Sequence, residues 1–304
     1  MSVKLAHYFR KNLRRVAIVQ DWEVFDLAEA ARGLKFSKFR DVTSIDEVLH
    51  RGLLDQLEKI QERIVESGKG LPIKDAKLLS PILFPEKIFM VAVNYLSHSQ
   101  EQGAKLPPEP YFFTKFRNAI IGPGEPIIIP KVSTKVDWEV ELAVIIGKAG
   151  KYVPKNEAMN YVAGYTVSND ISFRDLQFPQ GQPERLNPLG RNWVKGKGLD
   201  SSLPLGPWLV TKDEIPDPYE LEISLSVNGG LKQKSHTGEM VFKIDSLIEY
   251  LSAGITLRPG DIISTGTPQG VAIFTNQPYL KDGDVVEATI SNIGMLRNPV
   301  KSEQ

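Results

Sequence analysis

The chain of 304 residues contains no cysteine. That excludes disulfides, a thiolate nucleophile and any zinc or iron–sulfur site built on cysteine. An excess of one charge is missing too, since 37 lysines and arginines balance 37 aspartates and glutamates. Without a global basic field, neither nucleic acid nor a membrane surface is an expected partner. No apolar run has the length of a membrane span. No G-x-G-x-x-G follows a strand-like run and no G-x-x-x-x-G-K-[ST] occurs, so dinucleotide and P-loop binding have no support. Histidine is scarce, with four in all, which makes each one worth placing.

What remains is an ordinary globular composition, 41% apolar and 24% charged. The length suits one large domain or a small one beside a large one. The first twenty residues carry Lys4, Arg10, Lys11, Arg14 and Arg15 and no acid. A transit peptide has that bias, but the run leads straight into Val16-Ala17-Ile18-Val19, and a structural hairpin is expected. Strand-like pieces between 5 and 26 precede a helix opening at Ser44, where Ser44 and Glu47 form an S-x-x-E capping box. Ile45, Val48, Leu49, Leu57, Ile60 and Ile64 follow at helical spacing, and Gly68 and Gly70 end the helix. Residues 1–75 thus read as a small N-terminal α+β domain without visible chemistry. From Leu78 onward, short β-like runs at 127–130, 136–146, 161–168, 221–228 and 285–290 are separated by Pro and Gly. Residues 76–304 read as a β-rich catalytic domain, and the whole chain as α+β rather than alternating βαβ.

Within 135–147 the even positions are apolar: Val136, Trp138, Val140, Leu142, Val144 and Ile146. The odd positions begin Asp137, Glu139, Glu141. On a strand, same-face neighbours lie roughly 6.6 Å apart, so Glu139 and Glu141 can converge on one cation. Like charges that close are unfavourable unless something positive lies between them; a solvated acidic strand end has the same pattern. Asp170, at the end of the run 164–170, is placed to point into a cleft or to cap the next helix. With Glu139 and Glu141 it completes a three-carboxylate set suited to Mg²⁺ or Mn²⁺ rather than zinc. In a helical segment, His98 and Glu101 share a face, which makes either a general base with its orienting acid or a plain surface pair. Lys197, between Gly196 and Gly198, sits where backbone can approach a ligand, and it could stabilise enolate charge; a solvated loop lysine is the alternative. The turn at Gly266 and Thr267 could offer N–H groups and a hydroxyl to a carboxylate.

Together these residues resemble the fumarylacetoacetate hydrolase superfamily, specifically its short, prokaryotic-type members, from about Leu78 to the end. The resemblance rests on N-Y-x-x-H-x-x-E (94–101), D-W-E-V-E-L (137–142), N-D-x-S-x-R-D-x-Q (169–177), G-K (196–197), P-x-G-P (204–207), V-N-G (227–229), P-G-D-I-I-x-T-G-T-P (259–268) and I-x-x-I-G-x-L-R-N-P-V (290–300). It implies a mixed β-roll catalytic domain with a divalent cation, usually Mg²⁺ with Mn²⁺ or Ca²⁺ as alternatives, on Glu139, Glu141 and Asp170. It also implies a His98–Glu101 dyad, Lys197 and Gln177 reaching the substrate, Thr267 with Gly266 holding its carboxylate, and a cytoplasmic homodimer. The leading expectation is Mg²⁺-dependent hydrolysis of a C–C bond in a 2,4-dioxo acid such as an acylpyruvate. The alternatives are a 2-hydroxyhepta-2,4-diene-1,7-dioate isomerase of aromatic catabolism and an oxo-acid decarboxylase. A non-catalytic oxo-acid binding protein stands behind these, because the His–Glu pair and Lys197 are all retained.

There are departures from the family pattern. Phe116 follows Lys115 where the family often has proline, so no role is expected of Lys115. Gly198-Leu199-Asp200 replaces the family's S-F-D. The run 178–192 is longer than usual and suggests a lid or specificity loop. Arg185 or Arg191 within it could meet a second carboxylate of a dioic substrate, or simply keep the surface soluble.

Overall fold

In the computed structural model, which describes residues 3–33, 36–67, 70–103, 105–178, 191–275 and 277–304, the strand Val140–Ile146 runs through the middle of a large mixed sheet. It pairs antiparallel with Val162–Asn169 on one side and Ile262–Ser264 on the other. Beyond Val162–Asn169 the sheet continues through Leu203–Thr211 to Lys4–Arg10, Leu13–Gln20 and Glu23–Asp26. Beyond Ile262–Ser264 it ends with Ile88–Ala92 and Tyr111–Thr114. A second sheet of five strands is built on Glu222–Val227, Val285–Ile290 and Gly294–Ser302. The chain is therefore β-rich α+β, as its patterning predicts.

The period-two pattern of the central strand decides its packing. Val140, Leu142, Val144 and Ile146 join a hydrophobic cluster with Ile223, Leu225, Val286 and Ala288 of the five-stranded sheet and Leu247, Ile248 and Leu251 of the helix Ile244–Ser252. Ala143 and Ile145, pointing the other way, join a second cluster with Leu5, Ile18, Ile45, Val48, Leu57 and Ile60. Successive side chains on a strand face opposite sides, so a strand covered on both must be apolar throughout, which this one is beyond Glu141. Residues 1–75, expected as a small N-terminal domain, contribute Lys4–Arg10, Leu13–Gln20 and Glu23–Asp26 to the large sheet and side chains to this second cluster.

The basic N-terminal run forms the expected hairpin, Lys4–Arg10 with Leu13–Gln20, turning through Lys11 and Asn12 at positive φ (49° and 61°). Two positive φ values give the turn whose twist matches that of the paired strands. The helix expected from Ser44 through Ile64 is two helices, Ile45–His50 and Leu57–Ser67. Gly52, at φ +60°, breaks the run where no right-handed helix can continue. Ser44 caps the first helix, its Oγ accepting from Glu47 N–H at 3.1 Å. The second half of the box differs, because the Glu47 carboxylate accepts from Thr43 N–H instead.

The strand expected over 136–146 is also split. Val136–Asp137 pairs with Ser172–Phe173, while the main ladder begins at Val140. The joint, Trp138-Glu139, is held by Glu139 N–H donating to Asn169 Oδ1 and by Asp170 N–H donating to Glu139 O, at 2.9 and 2.8 Å. The break in the ladder therefore sits where the acidic residues gather.

Candidate active site

Glu139, Glu141 and Asp170 converge. Each offers a carboxylate oxygen, and these oxygens all lie within 4.8 Å of one another, in residues that are buried. The solvated acidic strand end is thereby excluded. Asp170 does not cap the following short helix Arg174–Gln177, whose capping position is Phe173. Asp137, third in the acidic run, faces elsewhere: it accepts from Arg174 Nε and from the Ala272 and Ile273 amides.

Three buried cations surround the carboxylates. Lys197 Nζ donates to Glu139 Oε2 and Asp170 Oδ2 at 2.7 and 2.6 Å, so it occupies part of the space between them. It reaches there because the helix Trp193–Lys197 lies tight against Gln177: a Cβ on Gly196 would stand 2.4 Å from Gln177 Cβ. Arg174 donates to Glu139 Oε1 at 2.6 Å, to Asp137 at 2.8 Å and to Gln177 Oε1 at 3.0 Å. Lys115, of which no role was expected, is fully enclosed beside Asp170 Oδ1 at 2.9 Å. Its hydrogen bonds go to Ile171 O, Ser202 O and Ser202 Oγ, and Asp170 Oδ1 accepts none.

The remaining carboxylate is served differently. Glu141 Oε2 accepts from Ser264 Oγ at 2.5 Å and from the Gly266 amide at 3.0 Å, with Gly266 at φ +91°. The Gly266 amide, expected on the substrate, is thus directed at Glu141. Thr267 lines the cavity, while its hydroxyl donates to Val140 O and accepts from Gln233.

These surroundings drive the acidities apart. Burial pushes Glu139 up, but Lys197 and Arg174 outweigh it and hold the carboxyl below its ordinary range. Burial raises Asp170, against the pull of Lys115 and Lys197. Glu141 is raised well above the usual range, first by burial and then by Asp170 and Glu139. Burial lowers the Lys115 ammonium to about 8, with Asp170 opposing. With Asp137, which shares Arg174, four carboxylates share the three cations Lys115, Arg174 and Lys197. Glu141 and Asp170, crowded by like charge, are oxygen donors of the kind that a hard cation needs. The acidic set can therefore hold a divalent metal ion alongside Lys197.

His98 opens on the same cavity as Glu139, Glu141, Lys197, Gln177 and Thr267. It lies on the helix Leu96–Gln102, with Nδ1 3.4 Å from Glu101 Oε2. Glu101 is in turn anchored by the Gly270 amide at 2.9 Å. Nδ1–H directed at the carboxylate leaves the Nε2 lone pair as the basic position, and the Gln102 amide rests on it. The helix is entered through Val93, a β-branched residue at φ +55°, and Asn94, whose amide ties Phe242 and Thr265 together.

Of the residues expected from the sequence, Glu139, Glu141, His98, Lys197, Gln177 and Thr267 line one cavity, and Asp170 lies fully buried beside it, bonded to Lys197. Lys115, Arg174, Ser264 and Asn169 were not anticipated. Arg174 and Asn169 stand inside the quoted motif 169–177, whereas nothing near Lys115 in sequence signals its burial. Arg185 lies outside the described residues, as does most of the run 178–192.

The chain is 42% identical over 268 residues to the mitochondrial oxaloacetate tautomerase FAHD2B of Bos taurus, covering 86% of this chain and 83% of that one. It resembles the solved 2-hydroxyhepta-2,4-diene-1,7-dioate isomerase of Mycobacterium marinum, with a TM-score of 0.73, 32% identity and 99% of both chains covered. It also resembles the maleylpyruvate hydrolase of Sphingobium sp. SYK-6, with a TM-score of 0.78, 29% identity and 99% and 100% coverage. The family model for the C-terminal region of fumarylacetoacetate hydrolase matches residues 87–301, and the chain belongs to that family of enzymes.

Proposed function

We propose that this protein interconverts the keto and enol forms of a 2-oxo acid of the oxaloacetate type, with a divalent cation, Mg²⁺ by preference, on Glu139, Glu141 and Asp170. The observation that carries the reading is the convergence of three carboxylates, two of them lining a cavity that also holds a carboxylate-oriented histidine. The name of the bovine relative supports it. When bound, the cation would supply Lewis acidity toward the keto and carboxylate oxygens of the substrate.

The chain's own residues do the rest. Gln102 turns aside, and His98 Nε2 takes a proton from the carbon next to the keto group. Glu101, fixed by Gly270, steadies the imidazolium that forms. The C–H electron pair becomes the new C=C bond as the C=O pair moves to oxygen, which takes a proton from solvent while the imidazolium returns its own to solvent; the enol results and nothing is consumed. The Lys197 ammonium lends positive charge to the developing oxyanion, and Gln177 and Thr267 border the bound acid.

The test follows the decay of enol absorbance of freshly dissolved oxaloacetate. Acceleration by the Mg²⁺-loaded protein, abolished by EDTA and restored by Mg²⁺, is expected. No acceleration at any metal concentration refutes the reading.

Hydrolysis of an acylpyruvate is the second reading. The observation favouring it is the Gly270-anchored Glu101 behind His98, an arrangement equally suited to activating water for attack on a distal carbonyl. Product analysis after incubation with acetylpyruvate, oxaloacetate and a hydroxydienoate separates the two. Acetate and pyruvate from acetylpyruvate mean hydrolysis, and double-bond migration in the dienoate means isomerisation.

A further inference from the structure

Asp137 is a fully buried carboxylate that the proton transfer does not use, and it does not line the cavity. On an unbroken strand it would share the face of Glu139 and Glu141. The joint at Trp138-Glu139 turns it instead toward the segment 270–274. There Ala272–Phe274 forms a single 3₁₀ turn whose own capping residue, Val271, makes no side-chain hydrogen bond. Asp137 does the capping from a distant part of the chain. Its Oδ1 accepts from Ala272 N–H at 2.8 Å and its Oδ2 from Ile273 N–H at 3.1 Å. The first amides of such a turn have no partner within it, and an ionised carboxylate serves them better than a neutral acceptor. Trp138 adds a second hold, its Nε1–H donating to Gly270 O at 3.1 Å.

The segment so held meets the His98–Glu101 dyad at both of its ends. The Gly270 amide donates to Glu101 Oε1 and Oε2 at 2.9 and 3.2 Å. Phe274 sets its ring edge to face against His98, with centroids 5.9 Å apart and planes at 63°. On its other side Asp137 Oδ2 accepts from Arg174 Nε at 2.8 Å, and Arg174 Nη2 donates to Glu139 Oε1 at 2.6 Å. Arg174, Asp137 and the segment thus connect a carboxylate of the acidic set to the acid that orients the histidine. We propose that Asp137, assisted by Trp138, is a positioning residue: it fixes the segment 270–274 and thereby the placement of His98 relative to the three carboxylates. This rests on the reading that His98 takes the proton, because a displaced base loses rate steeply while the contacts that bind the substrate persist.

The experiment compares full-length wild type, Asp137→Asn and Trp138→Phe by steady-state kinetics and by ¹⁵N–¹H NMR of the histidine rings, with thermal melts to confirm folding. Asparagine keeps one acceptor oxygen where aspartate has two, so either Arg174 or Ala272 loses its acceptor; phenylalanine keeps a ring but lacks the indole N–H. With four histidines in the chain, the His98 signals are identified by their loss in His98→Asn. In Asp137→Asn, kcat with oxaloacetate is expected to fall about thirtyfold, while KM and the Mn²⁺ affinity read by electron paramagnetic resonance hold. The His98 Nδ1–H signal should move upfield as its contact with Glu101 loosens. Trp138→Phe should show the same pattern at smaller amplitude, and it carries the test alone should Asp137→Asn fail to fold. A merely structural role would lower the melting temperature and leave kcat and the His98 signals in place. A folded variant with that outcome, or one whose kcat falls only in step with Mn²⁺ affinity, would overturn the assignment. The ring signals are read without turnover, so absence of tautomerisation in wild type refutes the reaction alone. Unmoved His98 signals beside intact tautomerisation refute the positioning role alone.

Discussion

Around His7, Tyr8 and Asp26, near the start of the chain, each buried polar group meets a partner of matching kind. His7 Nδ1–H donates to Ser80 O and Nε2 accepts from Ile45 N–H, both at 2.8 Å. Asp26 takes a two-point contact from Arg15, a hydroxyl from Tyr8 and the Glu29 amide. At the cavity the rule is different. Glu139, Glu141 and Asp170 crowd one another, and Glu139 is pushed down in pKa while Glu141 is pushed up. Matched pairs stabilise a fold, whereas crowded like charges cost stability and persist where a ligand is to be held.

The contrast can be broken from both sides. The largest effect is expected from Glu141→Gln or Asp170→Asn, which remove one of the crowded charges. Oxaloacetate tautomerisation should fall roughly 10³-fold at fixed Mg²⁺; the melting temperature should hold or rise in Glu141→Gln and fall in Asp170→Asn, which strips Lys115 and Lys197 of their partner. Next comes His98→Asn, expected to lower kcat about a hundredfold with cation affinity, read by calorimetry, unaltered; retained kcat would remove His98 from the proton path.

On the matched side, the expected effects are on stability. Burial, the dominant cause, lowers His7 to about 4 from the ordinary 6.5. As pH falls below 6.5 the unfolded chain takes up this proton and the folded one does not until about 4. Stability is therefore full above 6.5 and lost between those values, by about 3 kcal/mol for this one group. Urea unfolding at pH 7 and pH 5 should show the loss in wild type and a flatter profile in His7→Gln. Asp26→Asn should cost about 2 kcal/mol by stripping Arg15 of its partner and leave tautomerisation intact. The smallest change is Gly196→Ala. Its new Cβ meets Gln177 at 2.4 Å, and a cost of about 1–2 kcal/mol is expected from overpacking, visible as a lower melting temperature.

The period-two pattern from Val136 to Ile146 announced a strand apolar on one side, and the spacing of Glu139 and Glu141 announced their shared direction. Asp170 was legible only through its motif, because no local rule says that residues 139 and 170 meet. The place of Lys115 is not legible locally, since its surroundings, Ile171 and Ser202, are assembled by the fold from distant segments. The splitting of the first helix turned on the left-handed Gly52, which apolar spacing alone passes over. Local periodicity thus supplied the strands, while the counter-charges came from long-range topology.

The central claim is that the space among Glu139, Glu141 and Asp170 takes a divalent cation in addition to the Lys197 ammonium. Titration of EDTA-stripped protein with Mn²⁺, followed by electron paramagnetic resonance, addresses it most directly. One tightly held ion per chain is expected, retained in His98→Asn and lost in Glu141→Gln and Asp170→Asn. If the Mn²⁺ signal stays that of the free ion throughout, Lys197 is the sole occupant and the acidic cluster is a self-contained ion network.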